Sequence, residues 1–429
     1  MATYPYIKKR QCVSNMPMNA FTLLLVQHLP YRLYCIENGN GILPQKVRKY
    51  YYEVSSMNTT FQTKSPFAST LPGRYYYNPA VYAQEQERIF SKMWVYTCRA
   101  DALPEQGSYQ VVSLAGESIV IVRDKNNRLQ AFLNVCRHRG ARLCNQQSGH
   151  LNGSTQCHYH AWTYGLDGRL IGAPNVLRES EFDRTAYGLF PVALKVWEGL
   201  IWLNLSEDPL SFEEQINDPV VHAFAGTAPY ERYHLGRLKV GKSISYDVHA
   251  NWKLVLENTL ECYHCGPMHP ELCNLLPAFR ASWIDFKGEG TELAENIEAF
   301  TLTGKASRPP LPDLLPEDLR RYYGILLMPN VFLNLLSDHA VIDTFFPLGP
   351  ELTRVTCDWL FDPEEMSKPD FDPMDVVEVL HLVNLQDWEV CEMTQKSMSS
   401  RAFEHGGIYT PLEQHIRGLV DYILEKLAS

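Results

Sequence analysis

The chain has 429 residues, 45% of them hydrophobic and 21% charged, with a formal net charge of −10. That length accommodates two domains, and the acidic balance argues against nucleic acid or an anionic membrane surface as the main partner. Eleven cysteines, odd in number and scattered, exclude a secreted disulfide framework and point to a reducing, cytoplasmic setting with thiols free to ligate metal.

The first 56 residues differ from the rest. They carry seven basic and two acidic residues and show no helical or strand period. The expectation is an extension upstream of a natural start at Met57, or a disordered tail; a targeting leader is the remaining reading. The run around Phe21–Val26 is far too short to span a bilayer, so no membrane partner is expected. Residues 57–91 are expected to form an N-terminal helical segment on the catalytic domain, with a helix over Pro79–Trp94. Residues 92–206 form a first domain. Its strand signals are Tyr109–Val112, Ser118–Val122 and Leu129–Val135, with a polar turn at Asp124–Asn127. Leu194–Leu205 reads as a buried strand pair around Gly199. Residues 207–429 form a second domain, with strands at Lys242–Val248, Tyr323–Leu336, Ala340–Phe346 and Arg354–Phe361. Helices are expected at Trp252–His264, Val376–Ser400 and Leu412–Leu427, and a rim loop at Ser307–Pro312. Strands in series followed by helices indicate an α+β domain on an antiparallel sheet.

Two constellations carry chemistry. Cys136 and His138 form C-x-H; after eighteen intervening residues Cys157 and His160 form C-x-x-H. Two thiolates and two imidazoles can hold zinc or a two-iron cluster with the cysteines on one iron and the histidines on the other. The context decides: C-R-H-R-G-A-R-L, then C-H-Y-H-A-W-T-Y-G-L-D-G, resembles the Rieske domain of the Rieske-type oxygenases. That resemblance implies a [2Fe–2S] cluster held by Cys136, Cys157, His138 and His160. Respiratory Rieske proteins carry two further, disulfide-forming cysteines where this chain has Ala141 and Tyr159, so the resemblance is to the oxygenase or ferredoxin type. Cys144 reads as a small buried residue, and His158 as an exposed loop residue.

The second constellation is E-N-T-L-E-C-Y-H-C-G-P-M-H at 257–269. On a helix Glu261 and His264 share a face, with Glu257 a turn earlier; Gly266-Pro267 breaks the helix before His269. Two imidazoles and one carboxylate would leave three positions open on an iron(II). The carboxylate should come from elsewhere in the chain. Asp387 is the best candidate, because Leu380, Val383, Val390 and Cys391 place it on the apolar face of its helix, where an unpaired carboxylate is costly. Pairing with a core arginine is the alternative. Glu389 and Glu392 fall off that face and should be solvated.

N-W-K at 251–253, E-x-x-H-x-x-x-x-H at 261–269 and Q-D-x-x-x-C-E at 386–392 extend the resemblance to the catalytic domain of Rieske oxygenase α subunits, nearly the whole chain after Met57. It implies an all-β Rieske domain plus a helix-grip-like catalytic domain, a mononuclear iron on His264, His269 and Asp387, and Glu261 as the bridge to a Rieske histidine of the next subunit in a homotrimer. Most of the family has Asp at that position. N-W-K-L-V-L-E-N-x-x-E-C-Y-H-C is similar to the branch acting on glycine betaine, proline betaine, carnitine and choline. The implied activity is O2-dependent oxidation of an N-methyl group with release of formaldehyde, electrons coming from a separate NAD(P)H-dependent flavin/iron–sulfur reductase. Oxidation of an aromatic ring is the alternative, and a non-catalytic iron–sulfur or zinc protein a third. Trp283, Phe286, Tyr322, Tyr323 and Phe332 are candidates for an aromatic cage around a cation.

Overall fold

A computed structural model describes residues 67–176, 182–217, 229–282 and 289–428. The basic N-terminal stretch, Trp283 and Phe286 lie outside the described residues. Helix α1 (Pro79–Glu85) starts on Asn78, whose side chain caps Ala80 N, and continues as a π-turn over Gln86–Phe90. Strand β1 (Val95–Arg99) follows. β2 (Ser108–Leu114), β3 (Glu117–Arg123), β4 (Leu129–Leu133) and β5 (Ser148–His150) make an antiparallel sheet in the order β4-β3-β2-β5. The expected polar turn joins β3 to β4, with Asp124 accepting from the backbone of Asn126 and Arg128. β6 (Ser154–Gln156), β7 (Thr163–Gly165) and β8 (Leu170–Gly172) form a second small sheet.

β9 (Ala193–Trp197) and β10 (Leu200–Asn204) pair as expected across a two-residue turn, and β1 joins them. Glu198 and Gly199 both have positive φ, which matches the twist of a tight hairpin.

The second half is organised by one antiparallel sheet of six strands. β11 (Lys239–Val248), β12 (Thr291–Glu292), β13 (Arg321–Leu327), β14 (Val331–Leu335), β15 (Ala340–Gly349) and β16 (Leu352–Phe361) lie in the order β11-β16-β15-β14-β13-β12. The stretch 323–336 is therefore two strands. β14 is buried at every position, because both faces of the sheet are covered, and such strands read as continuous apolar runs. Leu333, Leu335, Ile342 and Leu360 pack toward Tyr96 and Trp202 of the β1-β10-β9 sheet. Phe332, Val341, Val355, Cys357 and Trp359 share the other core with Val376, Leu380 and Val383.

Four helices matter for the site. α2 (Trp252–Thr259) begins on Asn251, whose side chain accepts from Lys253 N. It stops earlier than expected, so Glu261 and His264 lie in the turn that follows. α3 (Cys265–Met268) and α4 (Pro270–Leu275) are short. Gly266 and Pro267 sit in the first turn of α3, where a proline costs no hydrogen bond, and the helix break falls before them. α5 (Met374–Ser397) is the long helix against the sheet, and α6 (Gln414–Ala428) closes the chain. The 307–312 segment is a loop, but Arg308 is buried and paired with Asp338 and Asp375. Among the described residues no helix is long and apolar enough to cross a membrane.

A buried polar network fixes α2. Lys253, with no exposed surface, binds Glu85 of α1 at 2.6 Å and Asn251 Oδ1 at 2.7 Å; Trp252 Nε1 donates to the other Glu85 oxygen. One turn on, Tyr76 donates to both oxygens of Glu257. Burial raises the Glu257 carboxyl to about 7, with Tyr76 and Lys253 opposing the rise.

Replacing Lys253 with Ala strands a buried Glu85 and is expected to destabilise the chain by about 3–5 kcal/mol in chemical denaturation. Glu257 binds its proton more tightly folded than unfolded, so its contribution is present below its ordinary value near 4.5 and is lost as pH rises through about 7. Melting curves across that window should show a decline in Tm that Glu257→Gln flattens; an equal slope in both proteins would contradict this.

Candidate metal centres

The first site is built from two matching turns. Gly140 N donates to Cys136 O, and Ala161 N donates to Cys157 O, both at 3.0 Å. Gly140 and Ala161 both have positive φ, so each cysteine sits at the start of a tight loop and its histidine near the tip. Both cysteines are buried, and both histidines are exposed. The rings of His138 and His160 approach to 4.5 Å between centroids, and Trp162 stacks on His138 at 5.0 Å. The Tyr164 hydroxyl lies 3.4 Å from Cys136 Sγ and accepts from Arg137 N at 3.0 Å. Four donors on a single tetrahedral zinc would close around one point. Among the described residues the donors that converge on one point are three in number and lie elsewhere, and paired thiolates inside with paired imidazoles outside suit a two-iron cluster. Cys144 is buried and His158 exposed, as expected.

The second site joins the turn after α2 to α5. Metal-ligating atoms of His264, His269 and Asp387 lie within 4.8 Å of one another. Both Nε2 atoms face Asp387 Oδ1, at 3.2 Å for His264 and 2.9 Å for His269. Each imidazole is oriented through its other nitrogen: His264 Nδ1 meets Glu261 Oε1 at 2.5 Å, and His269 Nδ1 meets Gln386 Oε1 at 2.7 Å. Such outer partners fix which nitrogen is left for a metal. Glu261 also accepts from the backbone N–H of Tyr263 and His264. A side-chain acceptor that captures these donors takes them from the carbonyls a continuing helix would offer, consistent with α2 ending at Thr259.

The electrostatics call for a cation. Burial pushes His264 down, but Asp387 and Glu261 more than offset this and hold it at about 10. Burial raises Asp387, and the two imidazoles overcome that and lower it. Two nitrogens and one carboxylate oxygen on one side suit a mononuclear iron with open positions. Asp387 has histidine partners, not the core arginine of the alternative reading. Glu389 is exposed, but Glu392 is half-buried and accepts from His249 N at 3.0 Å.

Sequence reasoning assigned no role to two residues here. Gln386 was visible only as the neighbour of Asp387. Asn258 donates to Asp387 Oδ1 at 3.2 Å, and its own Oδ1 is buried without a hydrogen-bond partner among the described residues. Glu257 instead points away, to Tyr76. Of the cage candidates, Tyr323 lies on the opposite sheet face and donates to Asp318; Tyr322 and Phe332 lie on the α5 side.

Fold and sites together define an iron-dependent oxygenase with a Rieske electron-transfer domain. The family described as "Rieske [2Fe-2S] domain" matches residues 93–185, and "Ring hydroxylating alpha subunit (catalytic domain)" matches 235–429. The glycine betaine monooxygenase oxygenase subunit of Chromohalobacter salexigens is 32% identical over 84% of this chain and 86% of that protein. The carnitine monooxygenase oxygenase subunit of Escherichia coli is 30% identical over 79% and 87%. The quaternary ammonium Rieske monooxygenase CntA superposes with a TM-score of 0.64 at 25% identity, covering 83% of this chain and 96% of that one. The chain belongs to the Rieske non-haem iron oxygenases, as a catalytic α subunit. It therefore uses a [2Fe–2S] cluster and a mononuclear iron, and works with a separate reductase.

Asp387→Ala is expected to remove the mononuclear iron and leave the Rieske absorption intact. Metal analysis should fall from about three irons per chain to about two, and loss of the Rieske spectrum as well would show the two sites are not independent.

Proposed function

We propose that this chain oxidises an N-methyl group of a quaternary ammonium compound resembling glycine betaine. The observation that carries this is the match to glycine betaine and carnitine monooxygenase subunits along most of the chain. The choline monooxygenase of Spinacia oleracea, 26% identical over 81% of this chain, extends the same substrate chemistry. The overall reaction takes the N-methyl carbon, O2, two electrons and two protons to an N-hydroxymethyl group and water. That carbinolamine then breaks its C–N bond, releasing formaldehyde, a proton and the demethylated amine.

When bound, the cluster and the iron supply one-electron transfer and O2 activation. The cluster's proposed ligands are Cys136, His138, Cys157 and His160; the iron's are His264, His269 and Asp387. This chain's other residues position and enclose. Glu261 and Gln386 set the imidazole orientations, and Asn258 steadies Asp387. His269 is withdrawn from water. Glu261 has a second proposed role, as the link to a Rieske histidine of a neighbouring subunit in a homotrimer. Tyr159, beside His160, is 57% exposed, and Tyr263, beside Glu261, is 51% exposed. The reductase we infer is an NAD(P)H-dependent flavin/iron–sulfur protein. Nine free cysteines among the described residues support a cytoplasmic location.

A panel of glycine betaine, choline, carnitine and simple arenes, assayed with O2, a reductase and formaldehyde detection, tests the reading. Formaldehyde from an N-methylated ammonium compound is expected; hydroxylation of an arene alone would sink it. Glu261→Gln should keep both metal spectra and slow coupled turnover by a factor of about a hundred or more. Undiminished turnover would defeat the bridging role.

A further inference from the structure

The face of the large sheet that looks toward α5 is apolar across most of its width, with one acidic exception. Asp343 lies on β15 with Cys357 opposite on β16 and Phe332 opposite on β14. Its Oδ2 accepts from Asn334 Nδ2 at 2.7 Å, and Asn334 Oδ1 accepts from the Tyr322 hydroxyl at 2.8 Å. Its Oδ1 is enclosed and has no hydrogen-bond partner among the described residues. The Cys357 thiol lies alongside, but a thiol is too weak a donor to meet a carboxylate's charge. Burial leaves the Asp343 carboxyl raised to about 6, against the opposing effects of Cys357 and Asn334.

An acid so placed is costly unless something compensates it. Its position relates it to the mononuclear site. Asn384 of α5 donates to Cys357 Sγ at 3.3 Å, and Asn384 stands three residues before Asp387. Asp343 is thus linked to the helix that carries Asp387 through Cys357 and Asn384. Asp343 and Tyr322 both keep some accessible surface, although β14 between their strands is buried throughout. Both side chains lie on the sheet face that looks toward α5. Tyr322 is itself braced by Phe279, edge-on at 5.9 Å, and by Phe300, stacked at 6.1 Å.

We propose that Asp343 is the counter-charge for the ammonium group of the substrate, with the Tyr322 ring as an adjoining aromatic face. This rests on the N-methyl substrate class argued above. A quaternary nitrogen has no N–H to donate. It is recognised by charge, through its polarised methyl groups, and by aromatic faces. A carboxylate oxygen with only a weak thiol donor beside it is the complement of such a cation. A primary or secondary ammonium would instead donate to it directly.

The test compares choline with 3,3-dimethylbutan-1-ol, in which carbon replaces the charged nitrogen. Binding to the iron-loaded protein is measured anaerobically by calorimetry, and kcat and KM by formaldehyde release. Wild type should bind choline about tenfold or more tightly than the neutral isostere. Asp343→Asn keeps the shape and the Asn334 contact. It should weaken choline binding about ten- to a hundredfold and leave the isostere unchanged, so the preference collapses and KM rises more than kcat falls. An unchanged preference in this variant overturns the proposal. If Asp343→Asn loses iron or the Rieske spectrum, Asp343→Glu decides: the charge is kept, so the preference must survive, and its loss overturns the proposal. Wild-type protein that binds no quaternary ammonium compound sinks the substrate class itself, a failure seen before any variant is made.

Discussion

Asp387 Oδ1 meets two imidazoles at once, and that convergence exists only while α5 and the turn after α2 hold their relative register. Neither element could supply the site alone. The turn brings two nitrogens but no free carboxylate, since Glu261 is committed to His264 Nδ1 and to two backbone donors. The helix brings the carboxylate, and also Gln386 to orient His269. Gln395, two turns further along α5, accepts from Asn251 N at the head of α2 and donates to Tyr76 O. Helix and turn are therefore pinned together at a second point, and small displacements there would separate donor atoms that must stay within 4.8 Å.

That pinning gives the N-terminal segment its purpose. Tyr76 and Glu85 lie far from the metal ligands in sequence, yet they receive Glu257 and Lys253 from α2. An ion pair with no exposed surface contributes little net stability compared with an apolar pair of the same volume. Its geometric demands are strict, however, and it allows α2 one seating. Specificity of position is what a helix that ends in a metal site requires.

Much of this was legible from the sequence, for identifiable reasons. Ligand residues announce themselves because few residue types bind iron, and their spacing is set by tight turns. Cys136–His138 and Cys157–His160 stood out as candidate cluster ligands before any fold was known, and the structure brings the two histidine rings to 4.5 Å. Asp387 could be found because a carboxylate among Leu380, Val383 and Cys391 conflicts with its surroundings. Helix bounds were less visible. The periodicity of 252–264 continues past Thr259, and the helix ends where the Glu261 side chain captures backbone donors, an event propensity does not encode. The roles of Asn258, Gln386 and Asp343 were hidden because each depends on a partner over a hundred residues away or just across a sheet. The split of 323–336 into two strands was hidden because β14 is buried on both faces and shows no alternation.

Two acids on the same side of the sheet show how burial can mean opposite things. Asp387 is enclosed with two imidazoles and an amide directed at it, and these hold it ionised, ready for a cation that belongs to the protein. Asp343 is enclosed with one amide and a thiol, and burial dominates. The first belongs to the ligand set proposed for the iron. The second has one oxygen satisfied by an amide and one with only a thiol beside it, and it faces the layer between the sheet and the helix that carries Asp387. A chain that keeps an uncompensated carboxylate in its core accepts a standing cost in stability. That cost is removed when a permanent cation enters the space, and a quaternary ammonium group is a cation that no change of pH can neutralise.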